Sequence, residues 1–130
     1  MAASARPVLD ASAVLALLHR EPGFGQVLET IDGAAISAVN LAEVQGKTLE
    51  RGVQPSAVAA RLRAVGVRVE PFLEEDAAVA ASMLPAARAH GLSLADRACL
   101  ALGLRLGRHV LATDQSLADA DVGVDVVLIR

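Results

Sequence analysis

Four acidic residues spread along the chain are the first candidates for chemistry: Asp10, Glu43, Asp96 and Asp114. No histidine stands beside them at a spacing typical of metal ligands. A site made of carboxylates alone suits Mg²⁺ or Mn²⁺, which prefer oxygen ligands and keep part of their water. Carboxylates that crowd together raise one another's pKa, and bound cations remove that penalty. Two such ions about 4 Å apart can activate a water molecule and stabilise the leaving oxygen of a phosphodiester.

The segments around these acids alternate between short apolar runs and helical patterns. The apolar runs predict five strands, at 8–10, 34–40, 67–72, 109–113 and 124–129. Helices are predicted between them: 11–18, a short one through 27–31, 40–51, 55–65, one capped by Asp76, and 93–106. Alternation of this kind is typical of a parallel sheet with helices on both faces. We therefore predict one α/β domain over residues 1–130, with a mainly parallel central sheet.

The predicted strands also indicate where the acids lie. In a parallel sheet the binding crevice lies beyond the carboxyl ends of the strands. Asp10 ends the first predicted strand, and Asp114 directly follows the fourth. Glu43 is expected in the first turn of the helix after the second strand, and Asp96 in the first turn of the helix that begins at Ser93. At least three of the four acids should therefore share one edge of the sheet.

Each acid also has a purely structural interpretation. Asp10 and Asp114 can cap a helix or a turn. Ser93 and Asp96 fit a capping box, in which the two residues satisfy each other's backbone N–H groups. Glu43 taken alone is typical of a solvated helix residue. Six other acids are assigned to turns, caps or exposed faces without chemistry: Asp32, Glu74, Glu75, Asp76, Asp119 and Asp121.

Composition limits the class of protein. The chain of 130 residues has the size of one domain, and 54% hydrophobic with 21% charged residues excludes a disordered chain. No apolar run approaches the ~18 residues of a membrane-spanning helix, and no signal peptide is recognisable. The single cysteine, Cys99, favours a reducing, cytoplasmic setting. A net charge of −3 argues against a protein that coats nucleic acid, although not against a metal-dependent enzyme that acts on it.

Taken in order, the acidic segments resemble the four motifs of the PIN-domain ribonucleases, and among these the VapC toxins of bacterial toxin–antitoxin pairs. The segment VLDASAVLALL (8–18) is similar to the first motif, with its acid at Asp10 and a hydroxyl companion at Ser12. The other three motifs are matched by SAVNLAEV (37–44) with Glu43, GLSLADRACLALG (91–103) with Asp96, and HVLATDQSL (109–117) with Asp114. The resemblance extends from about residue 8 to residue 128.

This resemblance implies a three-layer α/β/α sandwich and an endoribonuclease that hydrolyses RNA phosphodiester bonds with Mg²⁺ or Mn²⁺. The residues expected to hold the metal are Asp10, Glu43, Asp96 and Asp114. Ser12 would orient a carboxylate or a metal-bound water, and Thr113 is a second candidate for that role. The resemblance further implies an RNA substrate, a homodimer, and a VapB-like antitoxin whose C-terminal segment covers the acidic site.

Two other hypotheses stay open. A PIN fold could hold metal or a partner without turnover, and a defective fourth motif would be its signature. Residues 115–117 depart from that motif, since the family usually continues with a basic residue there. Alternatively, a PIN nuclease could process RNA without an antitoxin. Residues 1–7 form a longer lead than the family commonly has, and we predict that they are disordered or foreign to the domain.

Overall fold

The computed structural model describes residues 6–129, and its centre is a five-stranded sheet. The strands are β1 (Val8–Leu9), β2 (Ala35–Ser37), β3 (Arg68–Glu70), β4 (Val110–Ala112) and β5 (Val126–Leu128). All pairings are parallel, in the order β3-β2-β1-β4-β5. The prediction of five strands in a parallel sheet is confirmed. Each strand is shorter than predicted, because turns and helix caps begin directly at its ends.

Strand β1 lies in the middle of the sheet and carries the chain to the carboxyl edge. Val8 is in register with Ala35 on one side and with Val110 on the other. The Asp10 N–H continues the ladder by donating to the Leu111 carbonyl, at 3.0 Å. A strand paired on both sides and covered on both faces must be apolar, as β1 is. The first hydrophilic position after it is Asp10, at the edge.

Eight helices connect the strands within residues 6–129. They are α1 (Ala11–Leu18), α2 (Phe24–Thr30), α3 (Ala38–Leu49), α4 (Pro55–Ala64), α5 (Glu74–Ser82), α6 (Leu84–His90), α7 (Leu94–Leu106) and α8 (Gln115–Asp119). Pro85 lies in the first turn of α6, where its missing N–H costs nothing. In this part of the chain no helix is long and apolar enough to cross a membrane.

The helices cover the sheet on both faces, with a hydrophobic cluster on each. Leu9 and Leu111 pack with α1, α2, α3 and α4, whereas Val8 and Val110 pack with α6, α7 and α8. Side chains of neighbouring strand residues point to opposite faces, so this division follows from the strand geometry. The predicted α/β/α sandwich is confirmed.

The placement predicted for Glu43 is wrong. Glu43 lies in the second turn of α3, because the helix begins at Ala38 directly after its cap, Ser37. The cap predicted at Asp76 is confirmed, and the residue is buried. Its Oδ2 accepts the Leu73 N–H at 2.9 Å, so it does cap α5, from the third helical position. Its Oδ1 pairs with Nε of Arg105 at 3.0 Å, which joins α5 to α7 and allows the carboxylate to be buried.

The predicted N-terminal lead falls mostly outside the described residues. Nothing is described for residues 1–5. Arg6 is exposed and Pro7 is buried. The Pro7 carbonyl accepts the Ala35 N–H at 3.0 Å, so Pro7 already belongs to the β1–β2 pairing.

Candidate functional site

The site begins with Asp10, which follows β1 and caps α1. Its backbone is extended (φ −70°, ψ 156°), and its side chain is only 4% exposed. Oδ2 accepts two hydrogen bonds from Ser12, one from the backbone N–H at 3.1 Å and one from the hydroxyl. The capping interpretation of Asp10 is therefore confirmed. Oδ1 has no hydrogen-bond partner, although it is buried.

Ser12 connects Asp10 to the neighbouring strand. Its Oγ accepts the Thr113 N–H at 3.0 Å, directly after β4. Because the Thr113 N–H can only donate, Ser12 Oγ accepts from it and directs its own hydroxyl proton to Asp10 Oδ2. Ser12 thus fixes the carboxylate relative to two adjacent strands. Thr113 takes part through its backbone N–H.

Glu43 and Asp96 lie close enough to Asp10 to change its ionisation. Burial raises the pKa of Asp10 from 3.8 to about 6, and the two Ser12 hydrogen bonds oppose part of that rise. The negative charges of Asp96 and Glu43 raise the same pKa further. A neutral carboxyl is favoured wherever water is excluded and like charges are near. Three of the four predicted acids therefore form one electrostatic cluster at the carboxyl edge.

Cys99 lies beneath this cluster. Its thiol is fully buried, and burial raises its pKa well above the usual value, with further contributions from Asp10, Asp96 and Glu43. A buried thiol among negative charges stays protonated and unreactive. Cys99 is thus a packing residue of the hydrophobic cluster that it shares with Val8 and Val110.

Asp96 takes part in the cap of α7. Its Oδ2 accepts the Ser93 N–H at 2.8 Å, and its own N–H donates to Ser93 Oγ at 3.1 Å. The predicted capping box is confirmed. Because the box uses only Oδ2, the Oδ1 atom is left for other partners.

Asp114 stands apart from the other three acids. It is exposed and caps α8, and its Oδ1 accepts both the N–H and the hydroxyl of Ser116. It is not among the charges that shift the pKa of Asp10. Within residues 6–129, no three acidic, histidine or cysteine side chains converge as ligands of one metal ion. The structure thus groups Asp10, Glu43 and Asp96, and leaves Asp114 at the margin.

One polar residue of this region was not singled out in the sequence. Asn40 lies in the first turn of α3 and is fully buried. Its Nδ2 donates to the Ala95 carbonyl at 3.0 Å, next to Asp96, while its Oδ1 has no partner. An asparagine among apolar residues three positions before Glu43 was the available signal.

A stability prediction follows from the raised pKa of Asp10. Between pH 4 and 6 the native state holds a proton that the unfolded state has lost, so the free energy of unfolding falls as the pH rises through this window. A rise from 3.8 to about 6 corresponds to at most about 3 kcal/mol. We expect Asp10→Asn to be about 1–3 kcal/mol more stable than the metal-free native chain above pH 6, with no such gain at pH 4.

Urea unfolding in EDTA at pH 4, 5, 6 and 7.5 measures this difference. Asp125→Asn is the control, since Asp125 is exposed and precedes β5 at the opposite edge of the sheet. It should change the free energy of unfolding by less than about 0.5 kcal/mol at every pH. A gain for Asp10→Asn that is the same at pH 4 and pH 7.5 would contradict the expected protonation.

Solved structures with this fold come from several bacteria. A toxin–antitoxin complex from Klebsiella pneumoniae is 18% identical, with a TM-score of 0.71 over 93% of this chain and 95% of that one. VapC20 of Mycobacterium tuberculosis, described as a sarcin–ricin loop cleaving toxin, is 21% identical, with a TM-score of 0.70 over 88% and 94%. FitAcB of Neisseria gonorrhoeae is 24% identical, with a TM-score of 0.64 over 92% and 94%. At these identities the likeness concerns the fold.

Sequence comparison gives the family itself. No curated protein matches the chain significantly. The family model described as the PIN domain matches residues 8–123. That segment contains the four strands β1 to β4 and all four predicted acids, and so the chain belongs to the PIN domain family.

Proposed function

We propose that this protein is a metal-dependent endoribonuclease that hydrolyses RNA phosphodiester bonds. The observation that carries the proposal is Asp10: a buried carboxylate at the carboxyl edge of the sheet, with an unpartnered Oδ1, in the field of Glu43 and Asp96. A purely structural cap would not need two further acids close by. Membership of the PIN domain family and neighbours described as toxins support the same reaction class.

The residues present fit a hydrated divalent cation. The donors are all carboxylate oxygens, which suit Mg²⁺ and Mn²⁺ better than Zn²⁺ or copper. The free Oδ1 of Asp10 is an acceptor without a donor, and it lies where like charges repel one another. Mg²⁺ or Mn²⁺ bound here would offset most of the negative charge of this cluster and activate water for attack on phosphorus.

The residues of the chain then have distinct roles. Asp10, Glu43 and Asp96 would hold the cation, and Asp114 would join them from the margin of the site. Ser12 keeps the carboxylate of Asp10 in one orientation by standing between it and the Thr113 N–H. Because β1 and β4 are adjacent, this link holds the ends of two strands at a fixed separation.

The proposal extends to the biological setting. The protein would be the toxin of a toxin–antitoxin pair, act as a homodimer on RNA, and be inhibited by a VapB-like antitoxin. The support for a partner is that the Klebsiella pneumoniae neighbour is a toxin–antitoxin complex, and that another neighbour is VapBC2 of Rickettsia felis bound to promoter DNA.

Metal dependence is the first test of the reaction. We expect cleavage of a fluorescent single-stranded RNA in Mg²⁺ or Mn²⁺ and its loss in excess EDTA, with recovery when the metal is restored. The substrate is labelled at both ends, so that internal cleavage is distinguished from trimming. Cleavage that persists at the full rate in metal-stripped protein would contradict the metal mechanism.

One observation favours a second candidate, a PIN module that binds metal or a partner without turnover. Asp114 is exposed and engaged with Ser116, and the residues after it lack the basic side chain usual in the family. The same assay separates the two candidates. A protein that binds Mn²⁺ and yet leaves every RNA intact would be the binding module.

A further inference from the structure

Two buried side-chain oxygens have no hydrogen-bond partner within residues 6–129: Oδ1 of Asp10 and Oδ1 of Asn40. Nearly all buried polar atoms in proteins are hydrogen-bonded, so each exception needs an explanation. Asp10 belongs to the proposed cation site. Asn40 has been given no role so far.

The position of Asn40 brings its side chain to the same edge of the sheet. Helix α3 begins directly after β2, and Asn40 is in its first turn, one turn before Glu43 on the same face. Its Nδ2 donates to the carbonyl of Ala95, the residue before Asp96. Asn40 therefore lies between the two helices that carry two of the acids.

The hydrogen bond to Ala95 also determines which end of the amide is free. The Ala95 carbonyl can only accept, so it must face Nδ2. Oδ1 is consequently the unpartnered atom, at the other end of the same amide group. The hydrogen bond to Ala95 needs only Nδ2. A buried Oδ1 without a donor lowers the stability of the fold, so joining α3 to α7 does not by itself explain it.

We infer that Asn40 is a further ligand-positioning residue of the cation site, whose Oδ1 accepts a hydrogen bond from a water molecule of the bound cation. This inference rests on the proposed function. Mg²⁺ keeps several waters, and a metal-bound water is a donor that would satisfy the buried Oδ1 of Asn40. A neutral oxygen also adds an acceptor without adding to the repulsion among Asp10, Glu43 and Asp96.

Titration calorimetry with Mn²⁺ alone, in the absence of RNA, tests the inference. Asn40→Leu removes both amide atoms, whereas Asn40→Asp keeps an acceptor oxygen, loses the donor to Ala95 and adds a negative charge. We expect Asn40→Leu to weaken Mn²⁺ binding by about tenfold or more, the usual effect of losing an outer-shell partner. Asn40→Asp should bind Mn²⁺ at least as tightly as the native chain. Should Asn40→Leu not fold, Asn40→Ala takes its place.

The control is Thr48→Val on the same helix. Thr48 is also buried, but its hydroxyl donates to the carbonyls of Val44 and Gln45 within α3. This variant should bind Mn²⁺ like the native chain.

The outcomes separate this inference from the proposed function. Native affinity in Asn40→Leu would overturn the inference, and so would equal losses in Asn40→Leu and Asn40→Asp, since those indicate a tether to Ala95 only. A native chain that binds no Mn²⁺ at all would instead overturn the proposed metal site, and this inference with it.

Discussion

Asp10→Asn is expected to lower RNA cleavage by at least about 100-fold and to leave the fold intact. Loss of one charged group from a preorganised electrostatic site commonly costs two to three orders of magnitude in rate. Asparagine has the size of aspartate, and its carbonyl oxygen can still accept both hydrogen bonds from Ser12. The cap of α1 is therefore kept while the negative charge is removed.

Steady-state cleavage of the doubly labelled RNA, with circular dichroism on the same samples, provides the measurement. Asp125→Asn is again the control, since it removes a carboxylate charge at the far edge of the sheet and should retain native activity. If both variants are equally active, the carboxyl-edge cluster is not the catalytic site.

Asp96 needs a comparison of its own, because its side chain also caps α7. Asp96→Asn keeps an oxygen for the Ser93 N–H, whereas Ser93→Ala removes the other half of the capping box and leaves the carboxylate in place. If Asp96 holds the cation, the Asp96→Asn variant should be inactive. The Ser93→Ala variant should stay active, with a free energy of unfolding lower by about 1 kcal/mol. Equal activity of the two folded variants would reduce Asp96 to a cap.

The sequence predicts those parts of the site that depend on local patterns. An apolar run that ends at an acid predicts where Asp10 lies, and Ser93-x-x-Asp96 predicts a capping box whatever packs around it. Both signals involve residues within a few positions of one another. The parallel pairing of the strands follows from the alternation of strands and helices, because each connection must cross from one end of the sheet to the other.

The parts that were missed depend on contacts between distant segments. Asn40 is buried because α7 brings Ala95 to it, and Asp76 is buried because Arg105 supplies a counter-charge. Neither partner can be read from neighbouring residues. Glu43 was placed one turn too early, since the apolar run 34–40 does not reveal that β2 ends at Ser37 and that α3 already begins at Ala38.

The second large effect concerns the proposed antitoxin, and the candidate surface for it is an apolar groove between α1, α2 and α4. The side chains along it are almost entirely hydrophobic, and two of them are unusually exposed for their size: Leu28 at 55% and Val65 at 45%. The main groove residues are Leu17, Leu18, Leu28, Ile31, Leu62 and Val65. Contiguous exposed apolar surface on a small protein is typical of an interaction site.

The groove and the acidic cluster lie at opposite ends of α1. Asp10 caps the start of this helix, and Leu18 ends it in the groove. Eight residues at 1.5 Å each separate the two by roughly 12 Å. A partner that occupies both would place an apolar helix in the groove and, after about four extended residues, a basic side chain among the acids. Arginine suits that position because its guanidinium pairs with carboxylates through two hydrogen bonds.

We therefore expect the product of the adjacent upstream gene to co-purify with this chain and to suppress its RNA cleavage by at least about tenfold. Leu28→Glu, in the groove, should release most of the partner and restore cleavage, because a charge on the apolar surface is costly to bury. Leu84→Glu on α6 is the matched control: Leu84 is 41% exposed but lies outside the groove, so capture should persist. The toxin proposal would be contradicted if the native chain were recovered alone, active and harmless to its host. A nuclease that processes RNA without an antitoxin would then be the better description.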